Sequence, residues 1–321
     1  MGRVVMIEGQ RVYSLIGEDP LYVKTLVLEA LKVHYEKRLV QPYKQYLQRN
    51  PTAHTADRII ALSAYLTDPY EFAGIKWIGS HPDNYKSGLE RANAVIILNS
   101  TKTNAPFAIL EGSLISAMRT LAISLICIDR INPNPEVVAI LGMGRQGKLH
   151  TRCLPRLYPS IKRISCYSRA DFNDMCSNHL VRKCSSYREA LDGADTVIAV
   201  TAAPEPYITP SDIQGDKLMI NLSLMDFHLD VFLQADRIIV DDLEQCSLAK
   251  KVFNRGIEQG LIDPSSVREL SEIVYGKWKE LRFEGKILVN PIGMAIEDVL
   301  VAKAIYDRVR NETDLPSYEF G

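Results

Sequence analysis

Three glycines at the end of an apolar run give this chain its clearest chemical signature. Residues 137–147 read Val-Val-Ala-Ile-Leu-Gly-Met-Gly-Arg-Gln-Gly, which places Gly142, Gly144 and Gly147 in the spacing GxGxxG after a strand-like segment. In such a unit the first glycine permits a tight turn, and the second lets a pyrophosphate approach the backbone. The third lets the next helix pack closely on the strand. This spacing predicts a dinucleotide-binding turn.

The residues around these glycines support that prediction. A helix is predicted over residues 148–157, until Pro159 stops it, and its first amides would face the phosphates. Arg145 and Gln146 lie at this turn and are predicted to contact the cofactor. A second apolar run at residues 163–167 follows at the distance that a βαβ unit requires. The alternative is a glycine-rich turn that only joins a strand to a helix.

The ends of the later strands are the next places to search, because ligands of parallel sheets bind at the carboxyl ends of the strands. Ser168 and Arg169 follow the second strand, where a carboxylate favours NAD and a positive residue accommodates the 2′-phosphate of NADP. Ser168 and Arg169 favour NADP, but Asp171 is close in sequence and could supply the carboxylate that binds NAD. Thr201 begins a run of small residues with room for a nicotinamide ring or ribose, the alternative being an ordinary loop.

Asp226 is the candidate acid/base. It follows a predicted strand in the mostly apolar segment Asn-Leu-Ser-Leu-Met-Asp-Phe-His, residues 221–228, where its pKa would be raised and protons could be exchanged. The alternative for Asp226 is a helix cap before residues 228–233. His228 is the second candidate for this role.

Three cations interrupt apolar segments of the first 130 residues: Arg58, Lys76 and Arg119. Burying a cation without an anion is costly, so each is expected to have an acidic partner. A substrate carboxylate would serve, since arginine binds it bidentately and lysine as a point charge. The alternative for any one of them is an internal salt bridge, but three together favour an acidic ligand.

Two domains are needed to position these residues. After residues 129–136, a proline-rich stretch expected to break any helix, strands at 137–141, 163–167, 196–201, 218–222 and 237–240 alternate with helices. Such alternation predicts an α/β domain with a doubly wound parallel sheet of the Rossmann type.

The sequence before residue 129 predicts an α+β domain with an antiparallel sheet. Its helices are expected at 20–38 and from 113 onward, its strands at 58–66, 74–79, 94–99 and 106–110, with a hairpin turn at 99–104.

Composition narrows the classes of partner. The 321 residues are 46% hydrophobic and 24% charged with a net charge of −1, which disfavours nucleic acid and membrane surfaces as partners. Six cysteines show no metal-ligand spacing, so no metal site is expected and the thiols are interpreted as reduced. With no signal peptide or long apolar run in these residues, a cytoplasmic location is expected.

The chain resembles the ornithine cyclodeaminase/mu-crystallin family. The resemblance is carried by Gly-Ile-Lys-Trp-Ile-Gly-Ser-His-Pro-Asp-Asn at 74–84, Ser-Ala-Met-Arg-Thr at 116–120, the GxGxxG segment and Gly-Met-Ala-Ile-Glu-Asp at 293–298. It implies a homodimer built from a substrate-binding and dimerisation domain, residues 1–130 completed by 291–321, and a Rossmann domain, residues 131–290. The final helix, expected at 295–310, would cross back to the first domain. Cofactor contacts are expected from Gly142, Gly144, Arg145, Gln146, Gly147, Ser168, Arg169, Thr201, Ser223 and Met294.

The same resemblance assigns roles to the charged residues. Lys76 and Arg119 match residues that hold a substrate α-carboxylate, Arg58 matches a third cation of that cluster, and Asp226 matches the acid/base. Lys76 and Asp226 are the expected catalytic residues.

Further phrases point to one activity within the family, among them Val-Gln-Pro-Tyr-Lys-Gln-Tyr-Leu at 40–47 and Asn-Pro-Ile-Gly-Met at 290–294. They resemble enzymes that use NAD to cleave N-(2-amino-2-carboxyethyl)-L-glutamate to L-2,3-diaminopropionate and 2-oxoglutarate, for siderophore or other natural-product biosynthesis. A pyridoxal-phosphate synthase would be the pathway partner. An ornithine cyclodeaminase or ketimine reductase, and a non-catalytic NADP(H)-binding protein of the mu-crystallin kind, remain the alternatives.

Overall fold

The computed structural model describes residues 2–48, 57–175, 177–277 and 283–320. The chain separates into two compact units, Met1–Ala122 with Gly293–Gly321 (unit 1) and Ile123–Ile292 (unit 2). In the described part of the chain, no helix is both long and apolar enough to cross a bilayer.

In chain order the elements are β1 (Gly2–Ile7), α1 (Gly9–Ile16), α2 (Pro20–Tyr35), β2 (Leu39–Val40), β3 (Gln45–Leu47), β4 (Arg58–Leu66), β5 (Phe72–Ser80), β6 (Ala92–Ser100), β7 (Pro106–Glu111), α3 (Ser113–Ile131), β8 (Val137–Leu141), α4 (Arg145–Leu157), β9 (Arg163–Tyr167), β10 (Val181–Lys183), α5 (Tyr187–Leu191), β11 (Thr196–Ala199), β12 (Lys217–Asn221), α6 (Leu229–Leu233), β13 (Arg237–Val240), α7 (Leu243–Leu248), α8 (Val252–Glu258), β14 (Arg268–Glu269), α9 (Leu270–Tyr275), β15 (Lys286–Val289), α10 (Ala295–Val309) and β16 (Ser317–Phe320). Short 3₁₀ turns lie at Asn84–Ser87, Asn173–Met175, Pro210–Asp212 and Pro264–Ser266.

Unit 1 contains a sheet of order β16-β1-β7-β6-β5-β4-β2, with β3 also paired to β4. Its long strands β4 to β7 pair antiparallel, as the sequence predicts, and β6 and β7 form the expected hairpin. The antiparallel prediction is wrong at one edge, where β1 pairs parallel with β7. Even-numbered residues of β4 and β5 face the buried side of the sheet, and α2 and α10 pack in this unit. Charged side chains on that inner face therefore need partners.

Unit 2 is a parallel sheet of order β10-β9-β8-β11-β12-β15-β13-β14, which confirms the doubly wound fold class. Val138 to Leu141 are all buried, as expected for a strand covered by helices on both faces. Strand order reverses between β8 and β11, and in open α/β sheets that reversal marks the ligand-binding edge.

Two local expectations are corrected. The stretch 129–136 was expected to break any helix, but α3 continues through its first three residues and ends at Ile131. The first proline of the stretch is Pro133, and the side chain of Asp129 accepts a hydrogen bond from Tyr158. Helix α4 begins at Arg145, three residues before the predicted start, so the glycine motif itself forms its N-terminus. Cys127, Cys153, Cys166, Cys184 and Cys246 are free thiols, and Cys176 lies outside the described residues.

Candidate functional site

The three motif glycines of unit 2 each meet a different constraint. Gly142 has φ +98°, and a Cβ there would lie 2.8 Å from Val200 O. A Cβ on Gly147 would overlap Gly142 O, so this glycine permits the close packing of α4 on the turn. Gly144 has φ −72°, and a Cβ there would meet no atom within 4 Å. Packing within the chain therefore explains why glycine is needed at 142 and 147. It does not explain glycine at 144, where a side chain would have open space.

The N-terminus of α4 fits an anion. Gly144 is its N-cap and supplies no side-chain hydrogen bond, and no acidic residue stands in the first turn. Arg145 is exposed and Gln146 is half-buried in that turn. A helix N-terminus with open amides attracts phosphate through the amides and the helix dipole. The open space over Gly144 and the uncapped amides are the features that a dinucleotide pyrophosphate requires.

Gly144→Ala separates a ligand role from a packing role. Since the added methyl group meets no protein atom and the backbone angle suits any residue, the melting temperature is expected to stay within about 2 °C of the original. The methyl group would stand where the pyrophosphate approaches, so the Kd for NADH and NADPH is expected to rise at least ~10-fold, about 1.4 kcal/mol. Titration of nicotinamide fluorescence measures this change.

Gly9→Ala is the matched control, because its added methyl group makes an ordinary 3.5 Å contact with Glu111 in the other unit. Unchanged dinucleotide affinity in Gly144→Ala would contradict the assignment of this turn to the pyrophosphate.

The register of unit 2 gathers the other candidate cofactor residues at one edge of the sheet. Leu141 pairs with Tyr167 on one side and with Ala199 on the other, and Ala199 pairs with Asn221. Four neighbouring strands therefore end together. The loops that leave this edge carry Gly142, Ser168, Arg169, Thr201 and Ser223.

The end of β9 bears on the choice between NAD and NADP. Ser168 Oγ accepts a hydrogen bond from the Ala170 amide at 3.3 Å, and Arg169 is exposed. Asp171, the acid that left NAD open, lies 2.6 Å from Lys183 Nζ, and this hydrogen bond lowers the pKa of Asp171. A lysine thus neutralises the acid near this strand end, and Arg169 remains exposed to solvent.

Asp226 lies at the same edge and is fully buried. Its Oδ1 accepts hydrogen bonds from Thr201 Oγ1 at 2.5 Å and from Tyr207 Oη at 2.9 Å, and Ser223 Oγ contacts Oδ2. Burial raises the pKa of Asp226 to about 6, although the hydrogen bonds from Thr201 and Tyr207 oppose the rise. A carboxyl group with a pKa near neutrality can both take and return a proton.

The helix-cap interpretation of Asp226 is wrong. Helix α6 starts at Leu229 with His228 as its N-cap residue, and the Asp226 side chain bonds to hydroxyl groups instead. Thr201 and Ser223, predicted to contact the cofactor, hold this carboxylate in the structure.

Tyr207 is a site residue that the sequence did not reveal. Its amide and that of Ile208 donate to Asp226 O, at 3.0 and 2.9 Å, so backbone and side chain both fix the tyrosine beside the acid. Burial and the adjacent Asp226 charge raise the pKa of Tyr207. The tyrosine therefore remains a hydrogen-bond donor to Asp226.

In unit 1, Lys76 and Arg119 meet around one carboxylate. Lys76 is 2% exposed on the inner face of β5, and its Nζ lies 2.6 Å from Asp298 Oδ2 and 3.1 Å from Ser116 Oγ. Arg119 of α3 donates to Asp298 Oδ1 at 3.3 Å and to Glu297 Oε2 at 2.9 Å. Internal ion pairs, the alternative left open for each cation, are therefore present at Lys76 and Arg119.

The acids come from the first turn of α10. Glu297 and Asp298 are fully buried there, in the turn where the helix dipole stabilises negative charge. The turn before α10 has Gly293 at φ +79°, and a Cβ would lie 2.6 Å from Arg119 Nη1. Lys44, also buried, donates to Gly293 O at 2.6 Å. Glycine at 293 thus lets the arginine and the helix turn approach each other.

These residues form the cation cluster: Lys44, Lys76, Arg119, Glu297 and Asp298. Three basic and two acidic side chains thus meet in a mostly buried place. Burial lowers the pKa of Lys76 to about 8, Asp298 opposes this, and Arg119 and Lys44 add to it. Lysine and arginine side chains held together in this way are suited to bind a carboxylate.

Two further predicted residues have the following positions. Arg58 is on the inner face of β4 opposite Ser80, four residues along the neighbouring strand from Lys76, so its place beside Lys76 and Arg119 stays a prediction. Met294 is buried in unit 1 at the N-cap of α10, whereas the other predicted cofactor residues belong to unit 2.

Known proteins resemble this chain in sequence and in fold. The sequence model of the ornithine cyclodeaminase/mu-crystallin family matches residues 23–313. The N-((2S)-2-amino-2-carboxyethyl)-L-glutamate dehydrogenase of Staphylococcus aureus is 35% identical over 92% of each chain. The alanine dehydrogenase of Archaeoglobus fulgidus is 26% identical over 94% of each chain. Among solved structures, the Thermococcus litoralis Delta(1)-pyrroline-2-carboxylate reductase in complex with NADH and L-proline superposes with a TM-score of 0.86. It is 24% identical and covers 98% of this chain and 99% of its own, a likeness that shows the shared fold.

Proposed function

The chain belongs to the ornithine cyclodeaminase/mu-crystallin family, and on that premise we propose that it is an NAD(P)-dependent amino acid dehydrogenase acting on a CH–NH bond. The observation that carries the proposal is the buried cation cluster, in which Lys76 and Arg119 both contact Asp298. The likeness to the S. aureus enzyme directs the substrate to N-(2-amino-2-carboxyethyl)-L-glutamate, which carries three carboxylates. The products are then L-2,3-diaminopropionate and 2-oxoglutarate, for use in siderophore or other natural-product biosynthesis.

The cofactor is NAD or NADP, held at the glycine turn and the N-terminus of α4. When bound, it supplies the acceptor for a hydride. The salt bridge between Asp171 and Lys183 and the exposed Arg169 favour NADP at the ribose, whereas the resemblance in sequence implies NAD. Arg169 would bind the 2′-phosphate as a charged donor.

Lys76 and Arg119 orient the substrate. A carboxylate bound to both cations fixes the α-carbon and directs its C–H bond, which is the positioning part of catalysis. Asp298 holds both cations at once, so it sets their spacing before substrate arrives.

Asp226 handles the protons. Loss of a hydride from the glutamate α-carbon, together with loss of one proton from the protonated amine to solvent, would leave a protonated C=N bond. Water adds to this carbon, and Asp226 takes a proton from the water as the new C–O bond forms. The carboxyl group then returns that proton to the nitrogen. As the C–N bond breaks, Asp226 takes the proton of the carbinol hydroxyl, which gives the C=O bond of the 2-oxo acid and releases the amine. Thr201 and Tyr207 keep the carboxylate in place throughout.

Incubation of the full chain with the conjugate and either oxidised cofactor tests this proposal. The expected result is one reduced nicotinamide for each 2-oxoglutarate formed, the latter identified by mass spectrometry. Reduction with ornithine instead would favour a cyclodeaminase, and reduction of a cyclic imine would favour a ketimine reductase. Cofactor binding with no turnover of any of these substrates would favour a mu-crystallin-like binding protein.

Tyr207→Phe is expected to move the acid limb of the pH profile. The variant loses one of two hydrogen bonds that lower the pKa of Asp226, so that pKa should rise above 6 by up to about one unit. Deprotonated Asp226 is the active form. As the pH is lowered, log kcat/KM of the variant should therefore begin to fall at a higher pH than that of the original protein. Tyr318→Phe, on an exposed tyrosine of β16, is the control. An unchanged acid limb would show that Tyr207 does not tune Asp226.

A homodimer is the proposed assembly, formed through the outer face of the unit 1 sheet. Ile59, Tyr65, Trp77 and Val95 are exposed on this face although they belong to the central strands β4, β5 and β6. Large apolar side chains that remain exposed on neighbouring strands are typical of a protein interface. A second copy presenting the same face would cover it with matching chemistry.

Trp77→Glu is expected to yield a monomer. Trp77 is 41% exposed between Ala61 and Val95, and a carboxylate at that position would be desolvated in a dimer. Light scattering after size exclusion should give twice 36.1 kDa for the original protein and 36.1 kDa for the variant. Leu261→Glu, which changes an exposed leucine of unit 2, is the control. A variant that stays dimeric would exclude this face as the interface.

A further inference from the structure

Two guanidinium groups of unit 1 lie together without an acid between them. Arg58 starts β4 and pairs with Ser80 of β5, and Arg91 donates from Nη1 to Ser80 Oγ at 3.2 Å. Arg91 is exposed, and Arg58 lies close enough for its positive charge to lower the pKa of Arg91. Ser80 therefore brings two like charges to the same end of the sheet.

Neither arginine has an acidic partner within the described ranges. Arg58 Nε is buried with no hydrogen bond, and its guanidinium lies 5.6 Å from the ring centre of Tyr46. The neighbouring Asp57 lies 4.0 Å from His81 Nε2. Residues 49–56, outside the described ranges, contain no aspartate or glutamate in their sequence. Two adjacent cations without a counter-charge cost free energy, and a bound anion removes that cost.

The position of the pair relates it to the cation cluster. Arg58, Ser80 and Lys76 lie on the same inner face, and Ser80 is four residues beyond Lys76 on β5. At ~3.3 Å per residue that separation is about 13 Å between the backbones, less the reach of the side chains. A molecule with a carboxylate at each end is suited to such a separation.

We propose that Arg58 and Arg91 form a second carboxylate subsite that binds the distal acid group of a dicarboxylic substrate. This rests on the proposed function, in which the cation cluster binds the α-carboxylate, and it adds Arg91 as a residue that determines specificity. The subsite favours a glutamate-derived skeleton over a monocarboxylic amino acid of the same length. The ring of Tyr46 supports Arg58 from one side, so its guanidinium is held before the ligand arrives.

Binding calorimetry on the full chain saturated with oxidised cofactor tests the subsite without turnover. The probes are 2-oxoglutarate and 2-oxopentanoate, which have the same carbon chain and differ in the terminal carboxylate. With oxidised cofactor no hydride is available to reduce either ketone. The original protein is expected to bind 2-oxoglutarate at least ~10-fold more tightly, since a charge-assisted bidentate contact is worth about 1.5–3 kcal/mol.

Arg91→Gln and Arg58→Gln are each expected to remove that preference and to leave the affinity for 2-oxopentanoate unchanged. Arg91→Lys should keep part of the preference, because the charge remains without the planar fork. Arg310→Gln, at an exposed arginine that follows α10, is the control and should keep the full preference.

Equal weakening of both probes in Arg91→Gln, or no preference in the original protein, would overturn the subsite. A retained preference for 2-oxoglutarate in Arg91→Gln would overturn it too. The outcome is separate from the fate of the proposed function. A chain that prefers 2-oxoglutarate through these arginines but does not cleave the conjugate would keep the subsite and lose the proposed reaction.

Discussion

Asp226→Asn is expected to reduce kcat with the conjugate about 10³-fold while the Kd for reduced nicotinamide dinucleotide changes less than ~2-fold. Asparagine has nearly the shape of aspartate and can still accept hydrogen bonds from Thr201 and Tyr207, but it cannot take a proton. The acid limb near pH 6, which reports the ionisation of Asp226, should disappear from the residual activity. Single-turnover absorbance at the nicotinamide band measures the rate, and fluorescence titration measures cofactor affinity.

The fold of this variant should survive. The folded-state pKa of Asp226, about 6, lies above its ordinary value of 3.8, so the folded protein becomes less stable as the pH rises from 3.8 through 6. Asparagine carries no charge and avoids this loss, so its melting temperature at pH 7 should not fall through a charge effect. Asp230→Asn changes an exposed aspartate of α6 and serves as the matched control. Full activity in Asp226→Asn would remove this residue from the reaction.

The glycine turn shows what a sequence can predict. GxGxxG after an apolar run predicted a strand, a turn and a helix, and these occur as β8, Gly142 and α4. The prediction succeeds because the constraint is local: φ and Cβ clearance act over a few residues. The alternation of strands and helices predicted the parallel sheet for the same reason.

The ion pairs of the cation cluster could not be predicted from local sequence patterns, because the partners are distant along the chain. Asp298 lies 222 residues from Lys76, so no local pattern joins them. One signal was present: Glu297 and Asp298 stand in the apolar run Ala-Ile-Glu-Asp-Val-Leu, the same kind of interruption that singled out Lys76 and Arg119. That rule applied to acids as well as bases would have predicted the ion pairs. Tyr207 had no such signal in the sequence. It lies beside Asp226 because a β-bridge pairs the next residue, Ile208, with Phe227.

The internal ion pairs do not exclude a ligand role for the cations. Asp298 contacts both Lys76 and Arg119, so it holds the two side chains next to each other. An ammonium group and a guanidinium group each have several N–H donors, so each can bind Asp298 and a ligand carboxylate at the same time. The two interpretations of the cations, internal salt bridge and substrate binding, are therefore compatible.

Lys76→Met is expected to lower kcat/KM for the conjugate ~10²–10³-fold, mostly through KM, because removal of one partner from a buried charged contact costs about 3–5 kcal/mol. Methionine has no charge and no N–H donor, so the ammonium group that would hold the carboxylate is lost. Lys76→Arg, whose charge persists at all working pH values, should remove the alkaline limb. In the original protein kcat/KM is expected to fall above pH about 8 as Lys76 loses its proton and its hold on the carboxylate. Steady-state kinetics between pH 5 and pH 10, roughly the span that covers both limbs, measures these changes.

Lys76→Met also leaves Asp298 with one cation fewer, so stability must be separated from binding. The double variant Lys76→Met/Asp298→Asn removes one positive and one negative charge together, and thermal unfolding should recover toward the original temperature. The ammonium group proposed to hold the substrate carboxylate is still missing from this variant. The double variant should therefore be stable and still have a raised KM. Recovery of both stability and KM would mean that Lys76 acts only by balancing Asp298, and the substrate-anchoring role would have to be abandoned.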